Sequence, residues 1–120
     1  MCMGQVDQVH IQKEWSEMDF APRIAGYVDG DIPINKICDA RGIYIDKGLK
    51  ITSFKLELET GRYDTIIRFN GNQLPDSICA FIESQGPGMH YYFTRICAMD
   101  KDGSLKHLSP LHLFTIREDD

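Results

Sequence analysis

Histidines are the side chains in this sequence with the clearest capacity for metal chemistry. They are His10, His90, His107 and His112. Most are separated by long stretches of chain, whereas metal-binding motifs usually group their ligands closely. His107 and His112 lie five residues apart, and an odd spacing on a strand places two side chains on opposite faces. We therefore interpret the histidines as surface residues and expect neither a metal site nor a cofactor.

Acidic side chains suggest two further sites, and both have simpler explanations. Glu57 and Glu59 fall on one face of a predicted strand, but Lys55 and Arg62 flank them, which is typical of a solvated face rather than of an acid–base pair. The segment Asp100-Lys101-Asp102-Gly103 is similar to the start of a calcium loop. Its glycine is misplaced and no glutamate follows at the twelfth position, so a hairpin turn is the better interpretation.

Nucleophilic and phosphate-binding motifs are missing from the sequence. There is no GxSxG elbow, no GxGxxG and no P-loop, and no motif links a serine or cysteine to a histidine. We therefore predict that the chain is not an enzyme.

Four cysteines, at positions 2, 38, 79 and 97, form no CxxC pair, which argues against a zinc site and a thioredoxin-like motif. Two interpretations stay open. The cysteines are apolar core residues, or Cys79 and Cys97 form a disulfide in an oxidising compartment.

Composition restricts the class of protein. The 120 residues suit one domain, with 42% hydrophobic and 26% charged residues. A net charge of −5, with basic residues scattered singly, argues against nucleic acid or an anionic membrane surface as partner. No apolar run approaches the ~20 residues that span a bilayer, so we expect no membrane insertion.

The N-terminal residues resemble the end of an export signal. Cys2 and Gly4 would occupy the −3 and −1 positions of a cleavage before Gln5. If the chain is trimmed, its precursor was exported to the periplasm, which we expect; a complete chain of this sequence would stay in the cytoplasm.

Alternating apolar residues predict strands from Gly42 onward. The segment 54–58 places three apolar side chains on one face, but Ile51 has the opposite parity, which predicts a bulge near Thr52 and Ser53. Asp100 to Gly103 predicts a hairpin between two final strands, with a second bulge around Thr94 and Arg95.

A short helix is predicted after Pro75, because Ile78, Phe81 and Ile82 share one helical face and the sequence QGPG at 85–88 ends it. Residues 1–21 are predicted to form an arm or edge strand. Residues 22–120 are predicted to form one domain, an all-β, antiparallel immunoglobulin-like β-sandwich with this helix before the penultimate strand.

Aromatic residues are the candidate anchors for a partner. These are Trp15, Phe20, Tyr27 and Tyr91, although core packing is the commoner role for such residues. Tyr91 and Tyr92 have opposite parity on one strand, so we expect one of them to be exposed. An edge strand is a further route to a partner, through added strand pairing.

The C-terminal part of the chain resembles the C-terminal domain of the GldM (PorM) family. The resemblance covers residues 22–116 and is carried by I-x-S-F at 51–54, N-G-N-x-L at 70–74, the helix, an aromatic strand ending in Ile96 and the Asp102-Gly103 hairpin.

That resemblance implies a periplasmic immunoglobulin-like domain from a Bacteroidetes-type bacterium, linked to gliding motility and type IX secretion. The implied function is a non-enzymatic interaction module for envelope proteins, with a homodimer possible because GldM is dimeric. The alternative is a small carbohydrate- or ligand-binding β-sandwich, suggested by Trp15, Tyr27 and Tyr91.

Overall fold

The fold is β-rich with one short helix, as predicted. The computed structural model describes residues 21–45, 48–59 and 64–117. Its strands are β1 (Arg23–Ile24), β2 (Gly30–Pro33), β3 (Ile43–Tyr44), β4 (Lys50–Glu59), β5 (Asp64–Asn70), β6 (His90–Met99), β7 (Leu105–His107) and β8 (Leu111–Ile116); helix α1 spans Asp76–Gln85, and a 3-10 helix spans Ile34–Lys36. Within these ranges no helix is long and apolar enough to cross a bilayer.

The main sheet contains both strand directions. Its order is β2-β8-β6-β4-β5, with β7 beside the far end of β6, while β1 and β3 form a separate antiparallel pair. Strand β2 runs parallel to β8, with Gly30 opposite Leu113 and Pro33 opposite Ile116. The main sheet is therefore mixed and not purely antiparallel. A tight hairpin forces neighbours to be antiparallel, but β2 and β8 are joined through most of the chain, so no turn restricts their direction.

Both predicted bulges are present in the central strand pair. Between β4 and β6, the register passes from Ile51 opposite Ala98 to Ser53 opposite Cys97, which leaves Thr52 as the extra residue of β4. The next step leaves an extra residue in β6, where Arg95 adopts a left-handed φ of 50°.

The second bulge turns Ile96 and Ala98 toward the same side as Phe93. All three are buried, and so is Ile51 on the far side of the first bulge. The two bulges therefore keep the whole central pair facing one core.

One face of the sheet forms the core. Phe54 packs between Phe69 and Phe93, with ring centroids 5.2 and 6.0 Å apart. The segment 23–45 and helix α1 lie in the same cluster, to which they contribute buried isoleucines: Ile24, Ile37, Ile43, Ile45 and Ile82. Phe81, predicted on the buried helix face, is instead 36% exposed.

A short loop after β5 links the β1–β3 pair to the sheet. Asn72 Nδ2 donates to the carbonyl oxygens of Arg41 (2.9 Å) and Ile43 (3.0 Å), and Ile43 N donates back to Asn72 O over 2.8 Å. Gly42 lies in this contact with φ of +72°, and a Cβ there would come 2.3 Å from Asn72 O. The Asn70-Gly71 segment therefore leads to a cross-link between the main sheet and the β1–β3 pair, and not to a hairpin.

A disulfide joins Cys38 to Cys79, with 6.0 Å between the Cα atoms. Both sequence interpretations were wrong for this pair: Cys79 is not a free packing residue, and its partner is not Cys97. Cys79 lies in the first turn of α1 on the flank of its apolar face, beside the chain that follows the 3-10 helix, whereas Cys97 is buried within the sheet. No cysteine among the described residues is free.

Replacing Gly42 with alanine tests the cross-link between layers. In G42A the new Cβ disfavours the left-handed backbone conformation and also collides with Asn72 O. In G26A it disfavours a similar conformation, at a φ of +89°, but meets no atom within 4 Å. We expect G26A to lose about 1 kcal/mol of unfolding free energy and G42A about 2 kcal/mol more. Urea denaturation measures both, and equal losses would contradict the proposed close contact.

Removing the disulfide tests the second link. The bond closes a separation of 41 residues, and the chain-entropy model assigns such a loop about 4 kcal/mol. The double variant C38A/C79A should lose about this much unfolding free energy. Each single variant should lose nearly as much, because either one abolishes the same bond. Additive losses from the two single variants would show that the thiols only pack.

Candidate functional site

The outer face of the main sheet is the candidate site, and we call it the open face. Strand alternation directs toward it the side chains that do not enter the core. Among those described, the following are at least partly exposed: Asp31, Lys55, Glu57, Ile66, Arg68, His90, Tyr92, Thr94, His112, Phe114 and Ile116. Ser53 and Cys97, which alternation also places on this face, are buried. The described part of the open face is thus accessible except near Ser53 and Cys97.

Four rings touch one another at the centre of the open face. This ring cluster consists of His90, Tyr92, His112 and Phe114. Tyr92 stacks on His112 with centroids 4.3 Å apart, and His90 lies 4.7 Å from Phe114 and 5.0 Å from His112. The Nδ1 atom of His90 and the Nε2 atom of His112 share a hydrogen bond of 2.8 Å, with the proton on one nitrogen and the other accepting.

The register of β6 and β8 brings these rings together. His90 lies opposite Phe114 and Tyr92 lies opposite His112, so the two histidines are diagonal neighbours across the strand pair. The backbone N–H of His112 donates to Asp29 Oδ1 over 2.8 Å. Asp29 precedes β2, so this bond attaches the start of the parallel strand to the site.

Charged groups and one exposed apolar side chain surround the ring cluster. Glu57 lies opposite Tyr92 and accepts a hydrogen bond of 3.3 Å from Thr94 Oγ1. On the neighbouring edge strand β5, Ile66 lies opposite Glu57 and is 59% exposed. The open face therefore has an aromatic centre and a mixed, partly apolar border.

Of the residues predicted as partner anchors, the two that the structure describes, Tyr27 and Tyr91, do not belong to the ring cluster. Trp15 and Phe20 lie outside the described residues. Tyr27 lies in the turn after β1, where its backbone pairs with Ile24 and its ring packs against the core. Tyr91 is 1% exposed and belongs to the core, so the exposed member of the tyrosine pair is Tyr92.

The Tyr91 hydroxyl is an unusual core group. Its oxygen is buried and has no hydrogen-bond partner among the described residues. Burial raises the pKa of this phenol above its ordinary value, because the charged form would lose its hydration.

The ring cluster was not predicted from the sequence, although part of its residue pattern is visible there. His90 and Tyr92, like His112 and Phe114, are two residues apart and share a strand face. What the sequence did not provide was the register that sets β6 beside β8. His107, which the sequence compares with His112, lies on β7 near the other end of β6, where burial lowers its pKa.

A cleft of about 260 Å³ lies beside the disulfide, lined by Asn72 and Gln73 among others. Both side-chain amides already donate to backbone carbonyls, Gln73 to Ala40 and Asn72 to Arg41 and Ile43. The cleft is smaller than the ~300 Å³ at which ligand pockets usually begin. We therefore interpret the cleft as a packing gap beside the β1–β3 pair and not as a ligand pocket.

No protein-family model matches the chain, and a search of curated proteins finds no match.

Replacing Tyr91 with phenylalanine tests the buried hydroxyl. The change keeps the ring and removes an oxygen without a described partner, so Y91F should leave stability unchanged or raise it by about 1–2 kcal/mol. The matched variant Y92F, on the open face, should change it by less than about 0.5 kcal/mol. A clear loss in urea denaturation of Y91F would show that the hydroxyl has a partner.

Proposed function

We propose that this chain is a non-enzymatic protein-interaction module of the cell envelope, and that its contact surface is the open face around the ring cluster. The observation that carries the proposal is the placement of four rings in contact, all at least partly exposed, on the side of the main sheet that faces away from the core. Exposed aromatic side chains of this kind are where protein partners gain most of their binding energy.

The composition of the open face favours a protein partner. Interface centres are enriched in aromatic residues, and their borders are polar. Here the ring cluster forms the centre, and Lys55, Glu57 and Arg68 belong to the same face. The rings also hold one another in place, so a partner would find them ordered before it binds.

The disulfide supports an exported location. Bonds such as Cys38–Cys79 form and persist in oxidising compartments, including the bacterial periplasm. The resemblance of residues 22–116 to the GldM family leads to the same compartment. An immunoglobulin-like relationship is part of this proposal, with the β1–β3 pair and its flanking segments as the smaller layer over the core.

Photo-crosslinking tests the contact surface. A photoreactive phenylalanine analogue at position 66, on the open face, is compared with the same analogue at position 81, an exposed apolar position on α1. We expect the probe at position 66 to capture one recurring protein from an envelope extract of the source organism, and the probe at position 81 not to capture it.

The captured protein, once purified, allows a quantitative check. I66S and Y92S should weaken its affinity at least tenfold, as expected for residues near an interface centre, while I66S changes unfolding free energy by less than about 0.5 kcal/mol. Equal capture from both positions, or affinities unchanged by both variants, would contradict the proposal. Binding to a glycan array, with stabilisation by the bound sugar, would favour the carbohydrate-binding alternative instead.

A further inference from the structure

The two histidines of the ring cluster carry ring nitrogens that the proposed contact with a protein does not require. Their facing nitrogens, His90 Nδ1 and His112 Nε2, are 2.8 Å apart on the solvent side of the sheet. We call these two side chains the imidazole pair. Each nitrogen carries either a proton or a lone pair, and a neutral imidazole nitrogen with a free lone pair is a common metal ligand.

The spacing of the imidazole pair fits chelation. Imidazole nitrogens bind zinc at 2.0–2.1 Å, so two of them in neighbouring positions on one ion lie about 2.9–3.4 Å apart. The observed 2.8 Å lies just below this range. Small rotations of the two side chains would turn both lone pairs toward a common ion that replaces the shared proton.

The surroundings hold both rings near this arrangement. Tyr92 stacks on His112 at an interplanar angle of 21°, and Phe114 lies 4.7 Å from His90. The backbone of His112 is further held by its bond to Asp29. The two side chains therefore lose much of their conformational entropy on folding, so metal binding has little further ordering to do.

We propose that the imidazole pair binds a divalent late transition-metal ion. Imidazole suits copper, nickel and zinc, and the general order of affinities places Cu²⁺ first among them. No group of three or more histidine, cysteine or acidic side chains within the described residues could hold a metal ion. The described residues thus supply two ligands, and because His112 is exposed, water is available to complete the coordination.

The sequence argument against a metal site considered only spacing along the chain. His90 and His112 are 22 residues apart, too far for a local motif, and only the pairing of β6 with β8 brings them together. The proposal needs no protein partner, and its test is independent of the proposed function.

Calorimetric titration of the purified chain with Cu²⁺, Ni²⁺ and Zn²⁺ tests the proposal. We expect one Cu²⁺ per chain at micromolar affinity, with Ni²⁺ and Zn²⁺ weaker. H90N and H112N should each weaken Cu²⁺ binding at least tenfold. H107N and H10N, which change histidines outside the imidazole pair, should leave it within about twofold, and thermal melts verify that all four variants fold.

Electron paramagnetic resonance of the Cu²⁺ complex supplies a second measurement. Couplings from two imidazole nitrogens are expected in the wild type, and from one at most in H90N and in H112N. The proposal is overturned if the wild type binds none of the three ions, if the affinity survives both H90N and H112N, or if H10N or H107N removes it.

Discussion

The register of the two long central strands is the constraint on which the rest of the structure depends. In a β-strand a slip of one residue exchanges the buried and exposed faces, and β4 and β6 each change parity partway along their length. The bulges at Thr52 and Arg95 absorb those changes, so the apolar side chains on both sides of each bulge, from Ile51 to Leu58 and from Tyr91 to Ala98, enter one core. Tyr92 and His90 face outward because they alternate with the buried Tyr91 and Phe93, so the character of the open face follows from the packing of the opposite side.

Among the described residues, the core lies on one side of the main sheet, and this asymmetry shapes that part of the molecule. The β1–β3 pair, the 3-10 helix and α1 cover the inner face, and two links between segments distant in sequence hold them there. One is the exchange of hydrogen bonds around Asn72, and the other is the disulfide from Cys38 to Cys79. Elements this short cannot stay ordered by themselves, so their stability comes from the core beneath them and from these links.

Exposed sheet faces usually carry polar side chains, whereas the centre of this one carries four aromatic rings. Its four rings cover part of one another's apolar surface by packing together. The hydrogen bond between His90 and His112 pairs one nitrogen of each imidazole. Such a surface is ordered but only partly covered. Contact with a protein and coordination of a metal ion both draw on this order, although they would use different atoms of the cluster.

Local patterns in the sequence determined the features that depend on near neighbours. Alternation and parity predicted both bulges, the turn chemistry of Asp100 to Gly103 predicted the hairpin before β7, and Pro75 placed the start of the helix. Tertiary structure alone decided the parallel direction of β2, the pairing of Cys38 with Cys79 and the meeting of His90 with His112. Each of these joins segments distant along the chain, and period and turn chemistry carry no information about which distant strands become neighbours. Because the candidate site is assembled across strands, its residue types could be read from the sequence but their contact could not.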